Sequence, residues 1–91
     1  MNSPSEDIET RRKRLLWRAT HRGTREMDLV LGGYARAHLA TMAGAELDEF
    51  ERLIGLEDPQ LMGWVVGREA VPAEFAGQLT AKILSWRPEI Y

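Results

Sequence analysis

One glycine, Gly23, stands alone in the first 31 residues, between two segments that each carry a helical pattern of apolar side chains. A backbone break between two strong helix patterns forces a helix–corner–helix arrangement. The same punctuation recurs downstream. Gly44, Gly55, Gly67 and Pro72 each fall at the edge of another periodic run. No stretch alternates apolar and polar residues with period two for long enough to make a strand. The chain is thereby cut into helix-length pieces joined by short corners, which predicts an all-α fold, a compact single-domain five-helix bundle.

In the first piece Ser3-Pro4-Ser5-Glu6 has the form of a capping box with proline at the first helical position, and Asp7 is a rival cap. Ile8, Leu15, Leu16 and Ala19 make a narrow apolar stripe with Trp17 alongside, and Gly23 ends the helix. The second helix is expected from about Thr24 as N-cap, with Glu26 and Asp28 in the first turn, where carboxylates favour the positive end of the macrodipole. Met27, Val30, Leu31, Tyr34, Ala35, His38, Leu39 and Met42 share one face. Gly32 and Gly33 interrupt this run at a cost of roughly 2 kcal/mol relative to alanines. The pattern continues in phase beyond them, so one helix with a close neighbour is expected there.

A third helix covers 45–54, with Leu47, Phe50, Leu53 and Ile54 inward, and Gly55 ends it. Asp58 as N-cap and Pro59 as first residue open a fourth, whose Leu61, Met62, Trp64, Val65 and Val66 are apolar nearly all round; Gly67 stops it. Pro72 starts a fifth, with Phe75, Leu79, Ile83, Leu84 and Trp86 as its apolar set, and Pro88 closes it. Residues 1–91 read as one domain, with 1–6 as a frayed start and 88–91 as a tail. Ninety-one residues suffice for one modest core, burying somewhat over ~60% of the unfolded surface.

Cysteine is absent, which excludes disulfides and thiolate metal sites. No uncharged apolar stretch approaches the ~20 residues of a membrane span, so no membrane insertion is expected. The first charges are acidic, unlike those of a signal peptide. The expected location is the cytoplasm, or the mitochondrial matrix in a eukaryote.

The net charge of −2 conceals a strong asymmetry. Residues 11–25 carry Arg11, Arg12, Lys13, Arg14, Arg18, Arg22 and Arg25 and no acid, leaving five basic and fourteen acidic residues elsewhere. This basic run has three readings: a solvated helix face, a phosphate-binding surface, or a dock for an acidic protein surface. The acidic remainder of the chain argues against nucleic acid.

The residues that carry chemistry are sparse. His38 falls on the apolar face of the second helix and reads as a core histidine, while His21 sits at the corner. Neither has the partners of a metal site. Serines lie only at positions 3, 5 and 85, with no nucleophile–base pattern, so no catalytic residue is assigned and no enzyme is expected. Phosphate-loop and dinucleotide glycine patterns are absent. Trp17 lies within the basic helix, opposite most of its apolar stripe. It is either a rim residue of the core or an exposed anchor of the kind enriched at binding hot spots. At the corner, Gly23 supplies a tight turn and Glu26 an N-terminal charge. A glycine between two arginines also offers a flat spot that a partner can approach.

Arg22-Gly23-Thr24-Arg25-Glu26, followed by Met27-Asp28-Leu29-Val30-Leu31-Gly32 and preceded by Arg14-Leu15-Leu16-Trp17-Arg18, resembles the RGxxE signature and flanks of the SdhE family. In mitochondria this family is called succinate dehydrogenase assembly factor 2. Leu47, Phe50, Glu51, Leu53, Leu56, Asp58, Pro59, Leu61 and Trp64 resemble its middle region, and the likeness covers roughly residues 11–70. The resemblance implies a five-helix assembly chaperone that binds the flavoprotein subunit of succinate dehydrogenase and promotes covalent attachment of FAD to one of its histidines. Some members also serve fumarate reductase. No flavin-binding pattern appears in these residues, so no stably bound cofactor is expected, and the resemblance implies action on the FAD of the partner. Carried onto this chain, the contact surface would be Arg22, Gly23 and Glu26, with Asp28, Arg14, Arg18 and Arg25 as neighbours; the hot-spot reading of Trp17, and not the resemblance, adds Trp17 to the expected partner-binding set. The competing reading is a small nucleic-acid-binding domain that uses the basic helix of residues 11–25.

Overall fold

The computed structural model describes residues 6–86. Among them are five helices packed on one core and no strand. Helix α1, Ile8–Thr20, is capped by Asp7, whose Oδ1 accepts the Thr10 N–H at 2.7 Å. The rival box at Ser3-Pro4-Ser5 lies outside the described residues, as does Pro88. Leu15 and Ala19 are buried, Leu16 is half-buried, and Ile8 is exposed.

Helix α2 runs over 25–41 as one continuous helical segment: an α turn at Arg25–Met27, a π turn at Asp28–Gly32, an α stretch at Gly33–His38 and a 3-10 turn at Leu39–Thr41. Thr24 is its N-cap as expected, with Oγ1 accepting the Met27 N–H at 3.2 Å. The paired glycines sit where two neighbours press closest. A Cβ on Gly32 would stand 3.1 Å from the Ala19 carbonyl oxygen of α1, and one on Gly33 would overlap the Trp86 ring. Trp86 in turn meets Tyr34 edge-on, with ring centroids 6.4 Å apart. Gly33→Ala should therefore forfeit its gain of about 1 kcal/mol in helix propensity to a clash of about 2–3 kcal/mol, for a net loss of roughly 1–2 kcal/mol in urea unfolding. In a Trp86→Ala background the same substitution should stabilise.

Helix α3, Gly44–Ile54, buries Leu47, Phe50, Leu53 and Ile54. Helix α4 is Asp58–Val65, and a 3-10 turn, Ala73–Phe75, precedes α5, Gln78–Ser85. Four expectations are corrected here. The fifth helix begins at Gln78, not Pro72. Gly77 is extended, and a Cβ there would come within 2.9 Å of the Glu49 carboxylate, so the chain breaks against α3 before turning helical. Asp58 does not cap α4 with its side chain; the carboxylate is engaged elsewhere. His38 is exposed and lies against the Tyr34 ring at 4.5 Å, because α2 tightens into its 3-10 turn there and carries the imidazole off the buried face. Val66 is 60% exposed because it lies beyond the end of α4, within which Leu61, Gly63 and Trp64 are buried and Met62 and Val65 pack partly buried against the core.

Much of the basic run is turned inward. Arg11 pairs with Asp48 and Glu51 at 2.8 Å, Arg14 with Glu6 and Glu51 at 2.9 and 3.1 Å, and Arg12 donates to the Met42 carbonyl. These contacts lace α1 to α3 and to the end of α2. Burial pushes the Glu51 carboxyl up, but hydrogen bonds from Arg11 and Arg14 outweigh it and hold Glu51 below its ordinary 4.5. A carboxylate depressed in the folded state stabilises the fold above its unfolded value and loses that contribution as pH falls through the folded one. Thermal melts should accordingly lose stability below about pH 4.5, and Glu51→Gln should flatten that fall.

Candidate protein-docking site

The corner between α1 and α2 is built from residues far apart in sequence. After Thr20 the chain leaves the helix at His21, whose ring stacks on Trp17 at 4.2 Å with the planes 12° apart. His21 Nδ1 lies 2.8 Å from the Trp17 carbonyl oxygen. Trp17 is 61% exposed, which places it among exposed residues and not at the rim of the core. An indole braced by a stacked imidazole is a large, partly rigid apolar surface facing solvent.

Arg22 then turns away from solvent. Its side chain is only 9% exposed. Nε and Nη2 donate to Asp58 Oδ1 at 2.9 and 2.8 Å, Nη1 to the Ile54 carbonyl, and Nη2 to the Leu56 carbonyl at 2.8 Å. The guanidinium thus satisfies carbonyls at the C-terminal end of α3, where a cation also complements the helix dipole. The other oxygen of Asp58 accepts the backbone N–H groups of Gly23 at 2.7 Å and Thr24 at 3.2 Å. The Arg22 N–H donates to Asp28 Oδ1. Two carboxylates, from α4 and α2, therefore hold three consecutive amides.

The reason for glycine at position 23 is proximity. Its backbone is not left-handed, and a Cβ there would sit 3.3 Å from Asp58 Oδ2. An open groove beside it is lined by Trp17, Arg18, His21, Arg22, Gly23, Leu56, Glu57 and Asp58. Thr24, Arg25 and Glu26 are exposed at the start of α2.

The structure thus brings Trp17, Arg18, Arg22 and Gly23 onto one groove, with Arg25 and Glu26 beginning the adjoining helix. Asp28 is half-buried and serves the corner's backbone. Arg14 stands apart, about two turns back along α1 in the ion network with Glu6 and Glu51. Of the seven cations of the run, Arg11, Arg12, Arg14 and Arg22 are engaged internally, while Lys13, Arg18 and Arg25 form no ion pair among the described residues. A continuous phosphate-binding stripe does not result. Asp58 was missed as a site residue because an aspartate just before a proline reads as an ordinary helix cap. No helix among the described residues is long and apolar enough to cross a membrane.

A small helical bundle whose exposed corner is pinned by two carboxylates, with an aromatic ledge beside it, presents a preset surface that a protein partner can meet. The chain belongs to the family described as flavinator of succinate dehydrogenase, whose model matches residues 13–87. It is 37% identical to the FAD assembly factor SdhE of Acetobacter pasteurianus, over 87% of this chain and 72% of that one. It is 40% identical to the mitochondrial succinate dehydrogenase assembly factor 2 of Mycosarcoma maydis, over 79% of this chain and 30% of that one. The mitochondrial assembly factor 2 of Dictyostelium discoideum is 32% identical, over 82% and 53% of the two chains. The chain therefore spans about a third to a half of those two mitochondrial relatives.

Proposed function

We propose that this protein is an assembly factor that docks on the flavoprotein subunit of succinate dehydrogenase and promotes covalent attachment of FAD to it. Membership of the flavinator family carries this reading. The rigid, exposed corner at the centre of the family's signature supports it. The working surface is Gly23, Thr24, Arg25 and Glu26 together with Trp17 and Arg18; Arg22 and Asp28 support it from beneath, and Arg14 braces α1. Gly23 lets the partner's backbone come close, Glu26 offers a carboxylate to a cation or N–H group, and Trp17 supplies apolar area.

The protein contributes no catalytic group of its own and holds no cofactor; it acts on the FAD of its partner. Attachment requires a carbon of the flavin ring system and a histidine to meet in register, and held geometry is worth several kcal/mol to such a step. A protein that binds the competent arrangement more tightly raises its population by that differential affinity. The flavoprotein of fumarate reductase is a second client on the same logic. Action belongs where the flavoprotein matures, in the bacterial cytoplasm or the mitochondrial matrix.

Titration calorimetry of the purified chain against each flavoprotein subunit tests this. Saturable one-to-one binding to the succinate dehydrogenase subunit is expected. No binding, together with salt-dependent retention on DNA or RNA, would return the basic helix to consideration.

A further inference from the structure

We propose that Arg22 and Asp58 are positioning residues for docking, and that the partner meets the rim they preset and not the arginine itself. This rests on the docking reading above. Arg22 has the sequence look of a contact residue: a cation next to an exposed glycine. Its donors nevertheless point inward, to Asp58 Oδ1 and to the carbonyls of Ile54 and Leu56. With 9% of its side chain exposed, it offers a partner almost no surface.

Asp58 joins the two halves of the arrangement. One carboxylate oxygen holds the guanidinium and the other holds the amides of Gly23 and Thr24. Arg22 also ties the α3 end to the α4 start, and so fixes where Asp58 stands. Removing either member takes away one of the other's anchors and loosens it. A glycine-containing corner without these bonds would populate many conformations, and docking would then bear the entropy that folding already bears here. The exposed groups that follow, Thr24, Arg25 and Glu26, inherit their position from these two amides.

The test combines dissociation constants for the succinate dehydrogenase flavoprotein subunit with amide exchange at Gly23 and Thr24. The full-length chain is compared with Asp58→Asn, Arg22→Lys and the double variant. Asp58→Asn keeps the shape but loses the charge and turns donors toward Arg22. Arg22→Lys keeps the charge but loses the planar fork that reaches three acceptors. Each single variant should bind about tenfold more weakly with faster exchange at both amides, and the double variant should be no weaker than the poorer single, because both act through one clamp. Arg22→Lys losing affinity with Gly23 and Thr24 exchange unchanged would make Arg22 a contact residue and overturn the proposal. So would Asp58→Asn binding like the unaltered chain. Should Asp58→Asn not fold, Arg22→Lys decides alone through the same pair of readouts. Failure of the unaltered chain to bind any flavoprotein subunit sinks the docking reading and this assignment with it; the other contrary results, seen against normal binding by that chain, overturn the assignment alone.

Discussion

Asp58→Ala is expected to destabilise the protein by about 3 kcal/mol, at the lower end of the range for breaking a buried ion pair by removing one partner. The substitution leaves the Arg22 guanidinium buried without its counter-charge and strips the Gly23 and Thr24 amides of their acceptor. The carbonyls of Ile54 and Leu56 still hold part of the cation, which keeps the loss from being larger. For a domain of this size the midpoint of thermal unfolding should fall by roughly 15 °C. Glu57→Ala, at the exposed neighbouring position, should shift it by no more than about 4 °C, since surface substitutions of this kind stay within about 0.5 kcal/mol. Circular dichroism melts of the two variants make the comparison, and equal midpoints would mean that the Arg22–Asp58 pair does not tie the corner.

The second large effect is on function with little effect on the fold. Gly23→Arg and Glu26→Ala should each reduce binding of the flavoprotein subunit at least about a hundredfold, the size expected when a central contact of an interface is lost. Both positions are exposed. The backbone of Gly23 lies outside the left-handed region, so arginine there meets no backbone strain; its Cβ must press the Asp58 carboxylate aside by a few tenths of an ångström. A stability loss of about 1 kcal/mol is expected for Gly23→Arg and less for Glu26→Ala. Unfolding midpoints near that of the parent, together with lost binding, would locate the effect at the surface. Retained binding in both variants would remove the corner from the interface.

The helices were legible because their signals are local. Asp7, Thr24 and Pro59 stand where helices begin, and the apolar spacing of Leu15 and Ala19, of Met27 through Met42, and of Leu47 through Ile54 gives the buried faces. The paired glycines were legible as a site of close approach, but not which neighbours approach, since Ala19 and Trp86 lie far off along the chain or on another helix. The late start of α5 was hidden because Pro72 is a strong local starter, and Gly77 acts only through its contact with Glu49.

The candidate site was legible in place and not in wiring. Gly23 marks the corner, and Trp17 marks the exposed side of α1. Nothing in the order of residues shows that Arg22 faces inward. Its acceptors lie 32 to 36 positions away, and an arginine beside a glycine looks the same whether it points to solvent or to the end of another helix. Asp58 was misread for the same reason: the aspartate before Pro59 has a local use as a cap, and the structure gives it a distant one. The basic run was overread as a cationic surface because its acidic partners, Asp48 and Glu51, sit on α3.

The most direct measurement of the central claim is covalent flavin fluorescence of the succinate dehydrogenase flavoprotein subunit on a denaturing gel. The subunit is produced alone, with this protein, and with its Glu26→Ala form. The account predicts strong fluorescence with the intact protein and weak fluorescence in the other two. Equal fluorescence in all three would contradict it.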